Sequence, residues 1–319
     1  MIIHSRLKLF LVVGILISSV IPIVAQKKQK ASDYYNSALQ KQENGDLDGA
    51  LADYDRAIAL DPRLDSAYNN RANINLQKGD LDGVISDYSK ALELNPRSVE
   101  TYFNRGDVQL QKGDYDAAIS DFTSSLQLGP EFAMAYNNRG NAKKFKADIE
   151  GAISDYTKAI QFNPKLTIAY YNRGTAHQVK QDMAAAMKDY SLALEVAPEF
   201  TDAYINRGQA RQAQQDLDGG IADYSKAVEL KPDAGVYCAL GTVRQAKKDL
   251  EGALADYSKA ISLDPNLPQA YSGRAVIETL QGKKEEAIQD FEKSFKLEPS
   301  LRRPSKSFLR NGWDVLLSR

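Results

Sequence analysis

Residues with reactive or metal-binding side chains are scarce in this sequence. Its 319 residues include one cysteine, Cys238, which cannot form an intrachain disulfide, and two histidines, His4 and His177. Two histidines without a His-Glu-x-x-His motif or a cysteine cluster do not make a metal site. We therefore predict no metal, no cofactor and no structural disulfide, and we expect Cys238 to be an inert thiol.

Neither sign of charge is in excess. Lysine and arginine together number 41, and aspartate and glutamate number 42. A basic excess is typical of a nucleic-acid-binding surface, and an acidic block is typical of a disordered tail. The balance of charge therefore argues against nucleic acid as a partner.

The N-terminal segment has the parts of a secretory signal. Arg6 and Lys8 precede an apolar run from Leu9 to about Val24, and the small residue Ala25 precedes the polar segment Gln26–Lys30. A positive region, an apolar region and a small residue in this order are typical of a signal peptide. We predict a signal peptide over residues 1–25, cleaved after Ala25, and a polar linker over residues 26–30. The protein would then be exported to the periplasm or secreted.

The length of the apolar run leaves an alternative open. The run is slightly long for a signal peptide and short for a membrane span, and Pro22 weakens a spanning helix near its end. An uncleaved signal-anchor would tether the protein to the membrane. No cysteine stands at the junction, which excludes a lipid anchor attached there.

The rest of the chain is built from a repeat of about 34 residues. The eight units cover residues 31–64, 65–98, 99–132, 133–166, 167–200, 201–233, 234–267 and 268–301, and the sixth is shorter than the others by a single residue. The fourth place of every unit is tyrosine: Tyr34, Tyr68, Tyr102, Tyr136, Tyr170, Tyr204, Tyr237 and Tyr271. The twenty-fourth is aromatic: Tyr54, Tyr88, Phe122, Tyr156, Tyr190, Tyr224, Tyr257 and Phe291. The thirty-second is always proline.

Each unit has the pattern of two helices. In the third unit, Tyr115, Ala118 and Phe122 recur at three- and four-residue steps and form one apolar stripe. The pair Gly113-Asp114 separates the two helices, and Pro130 ends the unit because proline cannot continue a helix. A single helix pair cannot bury its own stripe, so the units must stack into a solenoid.

This pattern resembles the tetratricopeptide repeat family over residues 31–301. The small residues at the eighth, twentieth and twenty-seventh places, the aromatic at the twenty-fourth and the proline all match the family. The resemblance implies an all-α fold, a right-handed superhelical solenoid of eight helix-turn-helix units whose first helices line a concave groove. A further helix over residues 302–319 is predicted to cap the last unit, and a partner-docking helix is the alternative.

The eleventh place departs from the family, which usually has a large apolar residue there. This chain has Lys41, Asn75, Gln109, Lys143, His177, Arg211, Arg244 and Glu278. We expect hydration or looser packing at this place.

A row of asparagines is the candidate peptide-binding feature. The sixth place, which faces the groove in the family, is asparagine in six consecutive units: Asn36, Asn70, Asn104, Asn138, Asn172 and Asn206. An amide both donates and accepts, so it can pair with a peptide backbone whatever the peptide's side chains. We predict peptide contacts from Asn70 to Asn206, together with the groove-facing Phe103 and Tyr171. The alternative is that these amides bond locally.

An arginine row and an aspartate row are predicted to form structural ion pairs. The arginines at the seventh place are Arg71, Arg105, Arg139, Arg173, Arg207 and Arg274. The aspartates at the twenty-third place are Asp53, Asp87, Asp121, Asp155, Asp189, Asp223, Asp256 and Asp290. We expect each arginine to pair with an aspartate of its own or the preceding unit. Presentation of the arginines to an anionic ligand is the alternative.

No residue constellation for catalysis is present. Carboxylates that recur at the same place in every unit are part of the repeat and do not indicate an acid–base pair. The sequence therefore predicts a non-enzymatic scaffold that binds a peptide or protein segment in the groove. The alternative is an accessory subunit of an envelope or secretion complex that docks through its outer ridge or cap helix.

Overall fold

A computed structural model describes residues 29–300 of the protein. The predicted signal peptide, the capping helix over residues 302–319 and residues 26–28 of the linker lie outside the described residues. Sixteen α-helices and no strand occur in the described part. They are α1 (Ala31–Glu43), α2 (Leu47–Leu60), α3 (Asp65–Leu76), α4 (Leu81–Leu94), α5 (Val99–Lys112), α6 (Tyr115–Leu128), α7 (Ala133–Phe145), α8 (Ile149–Phe162), α9 (Thr167–Val179), α10 (Met183–Val196), α11 (Thr201–Ala213), α12 (Leu217–Leu230), α13 (Ala234–Ala246), α14 (Leu250–Leu263), α15 (Pro268–Leu280) and α16 (Lys284–Leu297).

The described residues fall into two compact units, divided between Arg63 and Leu64. The first unit is the helix pair α1–α2. Its core is made of Ala38, Ala50, Tyr54 and Ala57, none of which is exposed to solvent. The second unit contains the seven helix pairs from α3 to α16.

Within the second unit, the two helices of each pair pack against each other, and the second helix of each pair from α4 to α14 packs against the first helix of the next pair. The aromatic at the twenty-fourth place fills the space inside each pair, and the rings of Tyr88, Phe122 and Tyr190 are almost completely buried. A Cβ atom at Gly174 would lie 2.7 Å from Cε1 of Tyr190. The eighth place is therefore small because the tyrosine ring lies directly against the backbone of the first helix.

The turns between first and second helices are short and specific. Aspartates at the sixteenth place, such as Asp114 and Asp148, cap the second helices by accepting a hydrogen bond from the backbone N–H three residues later. The residue just before each capping aspartate adopts a left-handed conformation, as at Gly113 with φ 81°. This geometry ends the first helix and reverses the chain.

The first helices of successive repeats contact each other directly at α5–α7, α7–α9 and α13–α15. Side-chain hydrogen bonds join α3 to α5 and α9 to α11, and Ile205 of α11 packs on the core cluster that includes Val236 of α13. The first helices therefore form an inner row in the second unit. The prediction of an all-α solenoid of eight helix-turn-helix units is confirmed. No helix among residues 29–300 is both long enough and apolar enough to cross a bilayer.

Candidate functional site

On the first helices, the ninth place lies three or four residues from the fifth, sixth and twelfth places, so side chains at these four places share one broad helix face. Because successive first helices are neighbours, these faces join into a single surface in the second unit. We call this surface, formed by those four places in repeats two to seven, the inner face. The predicted peptide-binding residues all lie on it.

Three of the predicted asparagines are hydrogen bonded between repeats. Asn172 is only 7% exposed and donates to Oδ1 of Asn137 at 3.0 Å. Asn138 donates to Oδ1 of Asp107 at 2.9 Å, and Asn206 donates to the hydroxyl of Tyr171 at 3.0 Å. Each bond connects a repeat to the preceding one, so these amides help to hold the stack together.

The remaining two predicted asparagines differ from these. Asn70 accepts a 3.4 Å hydrogen bond from the neighbouring Asn69. Asn104 makes no side-chain hydrogen bond within residues 29–300, and it lines a cavity of about 110 Å³ with Asn73, Tyr88 and Asp107. Asn104 is therefore the predicted asparagine whose amide is most available to a ligand.

The last repeat has no room for an asparagine at the sixth place. At Gly273, a Cβ atom would lie 2.4 Å from Cζ of Tyr257 in the preceding repeat. An asparagine does not fit there, because the ring of Tyr257 occupies its space.

The two predicted aromatic contacts are largely packing residues. The ring of Phe103 lies 4.7 Å from that of Phe132 and 5.8 Å from that of Phe122 between centroids. Tyr171 is half-buried and lies 5.1 Å from the ring of Phe200. Each aromatic ring presents only part of its surface to the inner face.

Each of the six seventh-place arginines binds the aspartate of its own repeat. Arg173 donates from Nε and Nη2 to both carboxylate oxygens of Asp189 at 2.9 and 2.7 Å. The same two-bond pairing joins Arg71–Asp87, Arg105–Asp121, Arg139–Asp155, Arg207–Asp223 and Arg274–Asp290. This planar geometry suits the guanidinium fork.

Five of these arginines also contact the preceding repeat. Nη1 of Arg173 donates to Oγ1 of Thr157 in the preceding repeat at 3.1 Å. Within its own repeat, the guanidinium of Arg173 lies 5.9 Å from the centre of the Tyr170 ring. Equivalent contacts to a hydroxyl of the preceding repeat occur at Arg105, Arg139, Arg207 and Arg274. The arginine row is thus occupied with structural contacts between and within repeats.

In four repeats the eleventh place holds a cation that also binds the twenty-third-place aspartate. Nζ of Lys143 lies 2.8 Å from Oδ2 of Asp155, and Nη1 of Arg211 lies 2.8 Å from Oδ2 of Asp223. Lys41 and Arg244 pair in the same way with Asp53 and Asp256. In these four repeats the eleventh place therefore carries an ion pair that the sequence analysis did not predict. The interval between cation and aspartate is the same in each of them, and this constant spacing was the signal that could have revealed the pairing.

Core tyrosines orient amides on the inner face. The hydroxyl of Tyr190 donates to Oε1 of Gln178 at 2.7 Å, although its ring is buried in the core. Similar bonds join Tyr88 to Asn73, Tyr156 to Asn141, Tyr224 to Gln212 and Tyr257 to Gln245. Since the amide oxygen is occupied, the NH₂ group of each amide remains as a donor. The sequence analysis did not identify these ninth- and twelfth-place amides.

Burial keeps these tyrosine hydroxyls protonated. It raises the pKa of Tyr88 and of Tyr224 to about 12, with a smaller contribution from nearby aspartates. The hydroxyls are therefore donors throughout the neutral range. Burial likewise raises the pKa of the half-buried Cys238 to about 11, so its thiol is protonated at neutral pH.

Sequence comparison identifies the repeat over most of the chain. A TPR repeat model matches residues 40–79, 72–113 and 241–278. One tetratricopeptide repeat model matches residues 99–132, 133–166 and 268–301, and another matches residues 171–235. No curated protein matches the chain.

Solved structures show the same fold. A tetratricopeptide repeat protein from Parabacteroides merdae is 18% identical with a TM-score of 0.58, covering 83% of this chain and 98% of that one. The C-terminal part of a TPR repeat-containing protein from Cytophaga hutchinsonii is 18% identical with a TM-score of 0.64, covering 75% and 98%. YrrB, a TPR protein with an unusual peptide-binding site, is 23% identical with a TM-score of 0.52, covering 56% and 93%.

These neighbours are consistent with the predicted right-handed superhelix. The three matching models all describe one repeat, and together they extend from residue 40 to residue 301 with two short gaps. The chain belongs to the tetratricopeptide repeat family.

Proposed function

We propose that this protein is a non-enzymatic scaffold that binds an extended segment of a protein or peptide along the inner face. The family and the fold support the general role in protein interaction. The row of amide NH₂ groups oriented by the core tyrosines supports the specific mode of binding. No residue of the proposed site requires a metal or a cofactor.

The amide row matches the chemistry of an extended backbone. Five repeats, the second and the fourth to seventh, each supply one oriented NH₂ group. These groups belong to Asn73, Asn141, Gln178, Gln212 and Gln245. A peptide backbone carries a carbonyl acceptor on every residue, whatever the side chain. Because the tyrosines fix the amides before a ligand arrives, binding costs less conformational entropy than with free amides.

Repeat three, where Phe122 has no hydroxyl, offers acceptors in place of an oriented donor. Asp107 uses Oδ1 to accept from Asn138, so its second carboxylate oxygen can accept from another donor. Burial raises the pKa of Asp107, and the hydrogen bond from Asn138 opposes this. Together with Asn104 beside it, this carboxylate is placed to accept backbone N–H groups of the same segment.

The likeness to YrrB supports the proposal in one respect. That protein has an unusual peptide-binding site. At 23% identity the likeness concerns the fold alone, so it supports the view that a solenoid of this kind can accommodate a peptide.

The test uses hydroxyl removal at three core tyrosines. Peptides selected from a random display library against the full chain would be measured by fluorescence anisotropy. In the triple variant Tyr190→Phe, Tyr224→Phe and Tyr257→Phe, the amides lose their fixed orientation, and we expect roughly tenfold weaker binding. Phenylalanine already occupies this place at Phe122 and Phe291, so helicity measured by circular dichroism should be retained.

A matched control removes the same number of hydroxyls from the same three repeats. Tyr170→Phe, Tyr204→Phe and Tyr237→Phe change the fourth place, whose hydroxyls make no hydrogen bond within residues 29–300. This control should bind peptide like the unchanged protein. Equal affinity of both triple variants would refute the oriented-amide mode. Crosslinks that map a partner to the second helices instead would favour the accessory-subunit alternative.

We also propose that the protein is exported, as the N-terminal segment indicates. The mass of the protein recovered from cells decides between a cleaved signal peptide and an uncleaved signal-anchor. A chain beginning at Gln26 would support cleavage after Ala25. A chain that retains residues 1–25 and sediments with membranes would support the signal-anchor alternative.

A further inference from the structure

A second cavity of the inner face, larger than the one beside Asn104, lies between repeats six and seven. Its volume is about 450 Å³, and α11, α12 and α13 enclose it. Ile205, Tyr224, Val236 and Ala239 form its apolar walls. This volume is sufficient for a large side chain.

The cavity coincides with the shortened repeat. Three residues connect α12 to α13, whereas four connect α6 to α7 and α10 to α11. The residue directly before α13 is Asp233, whereas Phe132 directly precedes α7 and Phe200 directly precedes α11.

A phenylalanine directly before α13 would pack where the cavity is. Phe132 packs on the fifth-place residue of its own repeat, Phe103, at 4.7 Å between ring centroids. Phe200 packs on Tyr171 at 5.1 Å in the same way. The fifth-place residue of repeat six is Ile205, and it lines the cavity. The space that an internal phenylalanine fills in repeats three and five is therefore open in repeat six.

Two further substitutions keep the cavity open toward the inner face. Ala239 replaces the asparagine found at the sixth place of the preceding repeats, and Gly235 stands at the second place, where repeat five has Ile168. The walls belong to a core cluster in which Tyr224 is 1% and Val236 is 7% exposed. A cavity with such walls is formed before any ligand binds.

The rim of the cavity carries two carboxylates and one ammonium group, from Asp202, Asp233 and Lys231. All three residues are exposed. Asp233 uses Oδ1 to cap α13 through the N–H of Val236. This net negative rim favours a segment with a basic residue beside its apolar one.

We propose that the cavity binds an aromatic side chain supplied by the segment that lies on the inner face, with a basic residue next to it. The inference rests on the proposed function. It adds an anchor that determines which segments bind and where they begin along the row of amides. The partner's aromatic side chain takes the place that Phe132 and Phe200 take in their own repeats.

The test fills the cavity from within. One phenylalanine inserted between Asp233 and Ala234 restores the full length of the repeat, and Gly235→Ile introduces the residue that repeat five has at this place. A Cβ atom at Gly235 meets only Oδ1 of Asp233, at 3.2 Å, so a small side-chain shift accommodates it. The matched control is Ala213→Ile, an exposed change on α11 away from the cavity lining.

Peptides selected from a random display library should contain a phenylalanine, tyrosine or tryptophan at one position, with lysine or arginine beside it. Replacing that aromatic residue by alanine should weaken binding to the unchanged protein and to the control about ten- to hundredfold. The two cavity-filling variants should bind the aromatic and alanine peptides equally. The insertion should also raise the temperature of thermal unfolding.

The outcomes separate this inference from the proposed function. Selected peptides without an aromatic position, or an aromatic preference that both filled variants keep, would overturn the anchor and leave binding along the amides intact. Failure of any peptide to bind would overturn both. If the insertion variant does not fold, the affinities of Gly235→Ile for the aromatic peptide and for its alanine version decide the question.

Discussion

At the scale of single residues, the buried aspartates carry the largest energetic consequences. A carboxylate removed from water is costly unless it is paired and hydrogen bonded. Asp223 is 2% exposed and is bound by both Arg207 and Arg211. In repeat seven, Leu240 replaces the arginine, and Arg244 alone binds Asp256. Burial therefore raises the pKa of Asp256 to about 6, although Arg244 opposes the rise.

The first prediction compares these two aspartates. Asp223→Asn leaves two arginines without their carboxylate and should lower the free energy of unfolding at pH 7 by about 3–5 kcal/mol. Asp256→Asn removes a poorly compensated charge and should be neutral or stabilising. Urea unfolding monitored by circular dichroism measures both. A larger loss for Asp256→Asn than for Asp223→Asn would contradict this reasoning.

The second prediction concerns pH. The folded pKa of Asp256, about 6, lies above its unfolded value of 3.8. Between about pH 4 and 6 the folded state holds a proton that the unfolded state releases, so the contribution of Asp256 to stability falls as pH rises through this window. Asp256→Asn should remove that part of the pH dependence. Identical pH profiles of both proteins across this window would contradict it.

The third prediction separates binding from packing on the asparagine row. Asn104→Ala removes an amide that has no partner within residues 29–300, so it should weaken peptide binding with little loss of stability. Asn172→Ala removes a buried amide that is bonded to Asn137 and should lower the free energy of unfolding by about 1–3 kcal/mol. Anisotropy and urea unfolding on the same samples distinguish the two effects. Reversal of the two results would show that the wrong asparagine was assigned to the ligand.

At the scale of the elements, the end of the first helix is the most strained point of several repeats. The fifteenth place is left-handed in every repeat, and glycine occupies it at Gly45, Gly79, Gly113 and Gly282. The other four repeats place a residue with a Cβ there, at Ala147, Gln181, Gln215 and Lys248, with φ of 63 to 68°. This conformation costs about 1–2 kcal/mol for a residue other than glycine.

The fourth prediction follows from this strain. Gln181→Gly and Gln215→Gly should each raise the free energy of unfolding by about 1 kcal/mol, because glycine adopts the left-handed conformation without steric strain. Gly113→Ala, at the same place with φ 81°, should lower it by a similar amount. Thermal unfolding of the three variants provides the measurement. A loss of stability in both glycine variants would indicate that the side chains of Gln181 and Gln215 contribute more than the strain costs.

At the scale of the whole molecule, stability is distributed through contacts between neighbours. Within the second unit, each helix packs mainly on the helices adjacent to it in the sequence. In such a stack, repeats with neighbours on both sides are held more firmly than a repeat at an end. The arginines add a polar link of the same kind, because most of them bridge their own aspartate and the preceding repeat.

The fifth prediction concerns the exchange of backbone amides with deuterated solvent. We expect stronger protection in α8 and α10, which have repeats on both sides, than in α16. Hydrogen exchange measured by mass spectrometry under native conditions tests this difference helix by helix. Equal protection of all second helices would show that the second unit unfolds as a single cooperative body.

Some features of the protein follow from its sequence alone. The repeat has a regular period, with tyrosine, a second aromatic residue and proline at fixed places. This pattern determines helix pairs, which must stack to bury their apolar stripes. The partnership of Arg173 with Asp189 was also predictable, because a buried guanidinium needs a carboxylate and the repeat supplies one at constant spacing. Local periodicity and charge pairing are properties of the sequence itself.

Other features were decided only by the tertiary structure. The sequence predicts the same role for Asn104 and Asn172, yet one is open and the other is buried. Asn172 donates to Asn137 of the preceding repeat, whereas the equivalent Asn69 accepts a hydrogen bond from Thr101 instead. The tyrosine hydroxyls reach amides of the first helix through the core, which no local pattern reveals. The shorter length of repeat six is visible in the sequence, but only packing shows that a cavity opens where it ends. Contacts between repeats depend on which side chains meet across the stack, and that is a property of the folded chain.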